Sequence, residues 1–157
     1  MIAITAVIAS CSLSENPTSF SRFEDFYRTE APCQSAVNSC YIPILDIYTS
    51  TFLIITDACT DLAFMGSTDQ NAKFNVSPSN PQFGTTIWSE GYRGIMYCNA
   101  AIEGIKGSPV GDGVRLPLLA DCVTMRAMYY YILTSTFGDV PFYTEAVTNI
   151  DVLDAVA

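Results

Sequence analysis

Along this chain, apolar residues recur mostly at steps of three and four, with polar clusters between the periodic stretches. Leu119, Val123, Ala127, Tyr130, Leu133 and Phe137 follow that spacing, which keeps side chains on one helical face. A core helix is expected over residues 118–137, with Pro117 in its first turn. Gly138 stands just past the last turn, where a left-handed backbone is favoured, and Pro141 cannot continue a helix. The chain is therefore expected to leave in extended form there.

An earlier helix is announced by Thr29 as N-cap, followed by Glu30 and Pro32 in the first turn, where a missing N–H removes no helical bond. Cys33, Val37, Cys40, Tyr41, Ile44 and Tyr48 would share its face, and Pro43 would kink its interior. Before it, Phe20, Phe23, Phe26 and Tyr27 form an aromatic stripe suited to a core. Residues 52–56 are continuously apolar or β-branched, so strand and buried helix both fit; the tail of the long helix and a turn is the preferred assignment.

A third helix is expected from Asn80 and Pro81 to the stop at Gly107, Ser108 and Pro109, with Trp88, Tyr92, Ile95, Asn99, Ile102 and Ile105 on one face. Glycines inside it, Gly84, Gly91, Gly94 and Gly104, each cost about 1 kcal/mol relative to Ala, a penalty that points to close helix contact. The fold class is all-α: four or five helices in antiparallel pairs with one long polar loop over residues 65–79. Trp88, Gly91 and Tyr92, with Ala127, Tyr131 and Pro141, echo a tetratricopeptide pattern, although fewer than three repeats are visible.

Charge and composition narrow the chemistry. With 16 acidic against 7 basic residues the net charge is −9, which opposes binding to nucleic acid phosphates. Without histidine the usual general base is missing. Asp57 and Asp61, four residues apart, are the best remaining catalytic pair and would suit glycoside hydrolysis; at that spacing a cap and a solvated residue is the stronger reading. No catalytic residue, cofactor or metal is assigned. Cys33, Cys40, Cys59, Cys98 and Cys122 contain no C-x-x-C pair and are expected to be small buried hydrophobes.

Several blocks resemble the SusD/RagB family of outer-membrane nutrient-binding lipoproteins. The most specific is Met125-Arg126-Ala127 with Tyr129, Tyr130, Tyr131 and Leu133, followed by Phe137-Gly138-Asp139-Val140-Pro141-Phe142. Phe26-Tyr27 with Thr29, Ala36-Val37-Asn38 with Tyr41, Trp88 with Tyr92, Gly94 and Ile95, and Cys98-Asn99 with Ile102 add to it. Ile8-Ala9-Ser10-Cys11 resembles the end of a lipoprotein signal, with Cys11 the lipidated residue, although no Lys or Arg precedes Arg22. On this reading residues 1–11 are a signal remnant, 12–18 a polar tether containing Glu15, Asn16 and Pro17, and 19–157 a truncated N-terminal helical domain.

The resemblance implies no enzyme. It implies capture of glycans or other nutrients at the outer face of the outer membrane, with delivery to a SusC-like TonB-dependent transporter and a lipid anchor in that membrane. Family members run considerably further, so apolar faces meant for later helices would be left exposed. A helical-repeat scaffold for protein partners is the alternative, and a glycoside hydrolase the third. In the family, an acidic residue usually lies five positions before the helix arginine; here it is Asp121. A buried Arg126 must be paired, and a packing salt bridge is expected for it. Tyr129, Tyr130 and Tyr131 point to different sides of the helix, so part of the triplet is core and no single stacking platform results.

Sugar binding needs an aromatic face for the ring and amides or charged groups for its hydroxyls. The polar loop brings Asp69, Gln70, Asn71, Lys73, Phe74 and Asn75 together. These are the candidate ligand residues; a solvated loop without function is the equal alternative.

Overall fold

A computed structural model describes residues 23–52, 56–57, 60, 77 and 84–146. The elements are α1 (Phe23–Phe26), α2 (Glu30–Ser39), α3 (Ile42–Asp46), a π-helical turn (Ile47–Thr51), α4 (Gly84–Lys106) and α5 (Asp112–Phe137). No strand occurs among the described residues, so the fold is all-α as expected. The expected starts at Asn80 and Pro81, like Phe20 and Cys59, lie outside the described residues.

α4 and α5 form an antiparallel hairpin whose register is set by glycines. Gly91 faces Leu133 and Gly94 faces the Tyr129 ring, while Asn99 meets Arg126 at 2.8 Å. Each step forward along α4 is thus a step back along α5. α2 and α3 pack on this hairpin. Gly104 lies against the ring of Tyr27. The expected cost of helix glycines is therefore offset by aromatic rings seated where a Cβ would stand.

The core is built from Cys33, Val37, Cys40 and Ile47 below, Ile87, Ile95, Cys98, Ile102 and Ile105 of α4, and Leu118, Cys122, Met125, Tyr129, Ile132 and Leu133 of α5. The described cysteines are free and buried, as small hydrophobes would be. Arg93 joins α4 to α3 through Asp46 at 2.7 Å and also meets Glu90 at 2.5 Å. Asp46 is exposed, and its pair contributes little to stability.

Three expectations are corrected. First, the helix after Thr29 does not run through Pro43. It stops at Ser39, and α3 restarts with Pro43 at its first turn, where no N–H is required. Tyr41 and Tyr48 are consequently exposed rather than part of a continuous core face. Second, α5 begins one and a half turns early, at Asp112. Val114 and Arg115 donate to the Gly111 carbonyl at 3.0 and 2.9 Å, and Pro117 sits inside the helix. The bond that Pro117 cannot make belongs to Gly113, whose residue is exposed and can be served by water.

Third, the buried face of α5 is not the one centred on Val123 and Ala127. Both are exposed, and Leu118, Cys122, Met125, Tyr129 and Ile132 are inside instead. A helix apolar on most sides has no unique stripe; here the Gly91 and Gly94 clefts of α4 select the side that carries Leu133 and Tyr129. On α4 the same shift exposes Trp88 and buries Ile87, while Ile95, Asn99, Ile102 and Ile105 are inside as expected. The expected stop holds: Gly107 and Ser108 close α4 with bonds to Glu103 and Ile105 at 3.2 Å.

Candidate functional site

Past Phe137, Gly138 adopts a φ of 80° with ψ of −125°, a backbone that residues with a Cβ rarely enter. Its N–H closes α5 on the Thr134 carbonyl at 3.0 Å. The chain then runs as an extended strap, residues 139–146, back along the groove between the two long helices. The expected exit is therefore present.

Four side chains hold this strap by its main chain. The Tyr92 hydroxyl donates to the Pro141 carbonyl at 2.8 Å. The Tyr130 hydroxyl donates to the Tyr143 carbonyl at 3.0 Å and accepts the Tyr143 N–H at 2.6 Å. Asn99 Nδ2 donates to the carbonyls of Tyr143 and Glu145 at 3.2 and 3.1 Å. Arg126 Nη1 donates to Asn99 Oδ1 at 2.8 Å and to the Thr144 carbonyl at 3.1 Å. The strap consequently lies parallel to α4 and antiparallel to α5.

Arg126 makes no ion pair among the described residues, and Asp121 is exposed. The expected salt bridge is thus replaced by neutral acceptors, an amide oxygen and a carbonyl, which a guanidinium fork serves through its several donors. Of the tyrosine triplet, Tyr129 is buried, Tyr130 is half-buried on the strap and Tyr131 is exposed, so the three do face different ways. Burial raises the pKa of Tyr130, with the Tyr143 N–H and Arg126 pulling the other way. Burial, then Tyr130 and Tyr143, push the Tyr92 hydroxyl up to about 12. These hydroxyls stay protonated and act as hydrogen-bond donors, not bases.

Where the strap ends, a cleft of about 320 Å³ opens, lined by Asn99, Ile102, Glu103, Lys106, Thr144, Glu145 and Ala146. Its size suits a single small ring. Glu103, Lys106 and Glu145 can accept and donate hydrogen bonds to hydroxyls, whereas both ends of the Asn99 amide are already used by the strap and Arg126. A shallower apolar hollow of about 290 Å³ lies between Trp88, Phe137 and the start of α4. There the Trp88 and Phe137 rings meet edge to face at 5.2 Å.

None of these groups forms a nucleophile and base pair, and no metal-ligating cluster occurs among the described residues. Asp57 is exposed, and Asp61 lies outside the described residues, as do Asp69, Gln70, Asn71, Lys73, Phe74, Asn75 and Cys11. Asn99 was expected only as one position on a helix face. A carboxamide among Ile95, Cys98 and Ile102 must find partners when buried, and that signal was available in the sequence. Among the described residues no helix is long and apolar enough to cross a membrane.

Comparison with known proteins gives a consistent answer. Residues 50–155 match the family model SusD-like_3, described as starch-binding associating with outer membrane. Across 99% of its length the chain is 25% identical to SusD-like protein P2 of Formosa agariphila, covering 32% of that protein. It is 26% identical to SusD-like protein P25 of the same organism over 85% of its length, covering 28% of that relative. The chain therefore spans about a third of the length of the curated relatives it matches. No solved structure matches it significantly.

Proposed function

Because the chain belongs to the SusD-like family, we propose that it is the N-terminal helical part of a cell-surface protein that captures glycans or other nutrients at the outer membrane. The observation that carries this reading is the family match over residues 50–155, whose description pairs starch binding with the outer membrane. Binding agrees with the chemistry of the cleft, where the Asn99 amide holds the main chain and Glu103, Lys106, Thr144 and Glu145 offer polar groups to a ligand.

In the finer reading, acylated Cys11 anchors the protein, residues 12–18 form the tether, and the folded body faces outward. The captured glycan passes to a SusC-like TonB-dependent transporter. Asp69, Gln70, Asn71, Lys73, Phe74 and Asn75 contact it through amides, charges and one aromatic ring. A net charge of −9 favours neutral over polyanionic ligands.

Calorimetric titration of the intact protein with maltooligosaccharides, followed by a panel of other glycans, tests the proposal. Replacing Asn71, Lys73 and Phe74 together by Ala is expected to weaken binding by at least about tenfold, or 1.4 kcal/mol. Unchanged affinity would remove the loop from the site. Failure to bind any glycan would overturn glycan capture. Incorporation of labelled palmitate, abolished by Cys11→Ala, is the corresponding check on the anchor.

A further inference from the structure

Three thiols from three elements meet in the core where α2 ends against the helical hairpin. Cys40 is the C-terminal cap of α2, Cys98 lies in α4 and Cys122 in α5, and all three are 0% exposed. The Cys40 thiol interacts with the thiols of both Cys122 and Cys98. Of these Cys122 is the stronger neighbour, and Cys40 is in turn the strongest neighbour of Cys122. Cys33, also buried, turns elsewhere and donates to the Tyr27 carbonyl at 3.8 Å.

We infer that Cys40 and Cys122 form a disulfide-bonding site that fastens α2 to α5 when the chain folds under oxidising conditions. Two features favour this pair beyond the contact itself. The Tyr129 hydroxyl donates to the Cys40 carbonyl at 2.6 Å, so the main chain of Cys40 is already held against α5, the helix that carries Cys122. Cys40 also stands at an element end, between the stop of α2 at Ser39 and the restart of α3 at Ile42. A small backbone adjustment there brings two neighbouring sulfurs to the bond length of about 2 Å without bending a helix interior. The bond closes a loop of roughly 80 residues, and crosslinks over long loops constrain the unfolded chain most.

The oxidant is a disulfide, either a small molecule such as oxidised glutathione or a protein oxidant of the same class. One thiolate of the pair attacks a sulfur of the oxidant, giving a mixed disulfide and releasing one thiol. The second thiolate attacks the protein sulfur, the Cys40–Cys122 bond forms and the second thiol leaves. The pair loses two electrons and two protons, and the oxidant is reduced to two thiols. In the folded protein this exchange is slow. The Cys122 thiol lowers the pKa of Cys40, but the Cys98 thiol and burial outweigh it and push Cys40 up to about 12. Contact with Cys40, then burial, push Cys122 up as well, which leaves few thiolates to attack. The bond is therefore made before α2 docks, and burial then shields it from reductants. Only its occurrence in the cell rests on the surface location proposed above, a compartment in which disulfides persist; the chemistry of the pair does not.

The test uses the intact protein, reduced, unfolded and refolded with oxidised and reduced glutathione. Free thiols are alkylated and the peptides mapped by mass spectrometry without reduction. A peptide containing Cys40 joined to one containing Cys122 is expected, two hydrogens lighter than the separate thiols. Dithiothreitol should then lower Tm by at least about 5 °C, and Cys122→Ser should lose that response. Alkylation of both Cys40 and Cys122 in the refolded protein, or a bond from Cys40 to any other cysteine, overturns the proposal. The protein as isolated, with its thiols blocked at lysis, gives a second measurement that needs neither refolding nor a variant. The crosslink found there upholds the pairing, and thiols free in both preparations overturn it. A crosslink formed by glutathione in a protein isolated as free thiols upholds the pairing and counts against the surface location alone.

Discussion

The ring of Tyr129 occupies the space where Gly94 has no side chain: a Cβ on Gly94 would stand 2.2 Å from Tyr129 Cζ. That approach brings α4 and α5 together and carries the Tyr129 hydroxyl across to the far helices. There it donates to the Cys40 carbonyl at 2.6 Å and accepts the Ile44 N–H at 3.1 Å. One side chain thus closes the hairpin and bridges the break between α2 and α3.

Gly94→Ala is expected to destabilise the fold by about 3 kcal/mol, because a buried ring must move to admit the methyl group. Gly113, in the first turn of α5, has nothing within 4 Å of a built Cβ. Gly113→Ala should therefore stabilise by about 0.5 to 1 kcal/mol through helix propensity. Urea unfolding of the two variants reads the contrast, and equal midpoints would discredit the packing account.

Tyr129→Phe keeps the ring and removes the hydroxyl. Tyr129 and Cys40 are both 0% exposed, so the Cys40 carbonyl loses a partner that water cannot readily replace. A loss of about 1 to 3 kcal/mol follows. Faster amide exchange at Ile44 is the local signature to measure.

Asn99→Ala should free the strap, since one amide serves the carbonyls of residues 143 and 145 and also anchors Arg126. Arg126→Met removes the other end of the same network. Each is expected to cost about 2 kcal/mol, and a double-mutant cycle should give a coupling of about 1 kcal/mol or more. Limited proteolysis within residues 139–146 should quicken in both variants; resistance equal to wild type would show that the strap holds itself.

Alkaline pH should destabilise the protein only from the range in which an ordinary exposed tyrosine ionises and upward. The Tyr92 hydroxyl rises from 10.0 to about 12 on folding, chiefly by burial, and Tyr129 and Tyr130 are raised as well, again chiefly by burial. For groups whose folded pKa is raised, the associated stability is fully present below the unfolded value and is lost as pH climbs through the folded one. Urea midpoints should therefore hold up to about pH 9.5 and fall from pH 10 to 12. Tyr92→Phe should shallow that decline.

Three element ends were legible in the chain. Thr29, Gly107-Ser108-Pro109 and Gly138 stand where the structure starts or stops its helices, because breakers act locally, although Thr29 makes no side-chain cap bond and the end of α2 and the start of α5 were misplaced. The orientation of α5 was not legible: with apolar residues on every side, its inner face is chosen by where α4 carries glycine. The partners of Arg126 were hidden for a different reason. They are an amide oxygen and a main-chain carbonyl, and carbonyls leave no mark in a side-chain pattern. Asn99 and Gly94 were visible as anomalies, each costly at its position unless something was fitted to it. The polar loop chosen for ligand binding was read from composition alone and lies outside the described residues.

Tyr92, Asn99, Arg126 and Tyr130 grip residues 141–145 through backbone carbonyls and one amide. What stands on the strap is therefore free to change without altering its course. Phe142, Thr144 and Glu145 are exposed, and substitution there leaves every one of these bonds intact. A grip on the main chain alone lets one helical frame carry different side chains at the rim of the neighbouring cleft, where Thr144 and Glu145 stand, at little cost to stability.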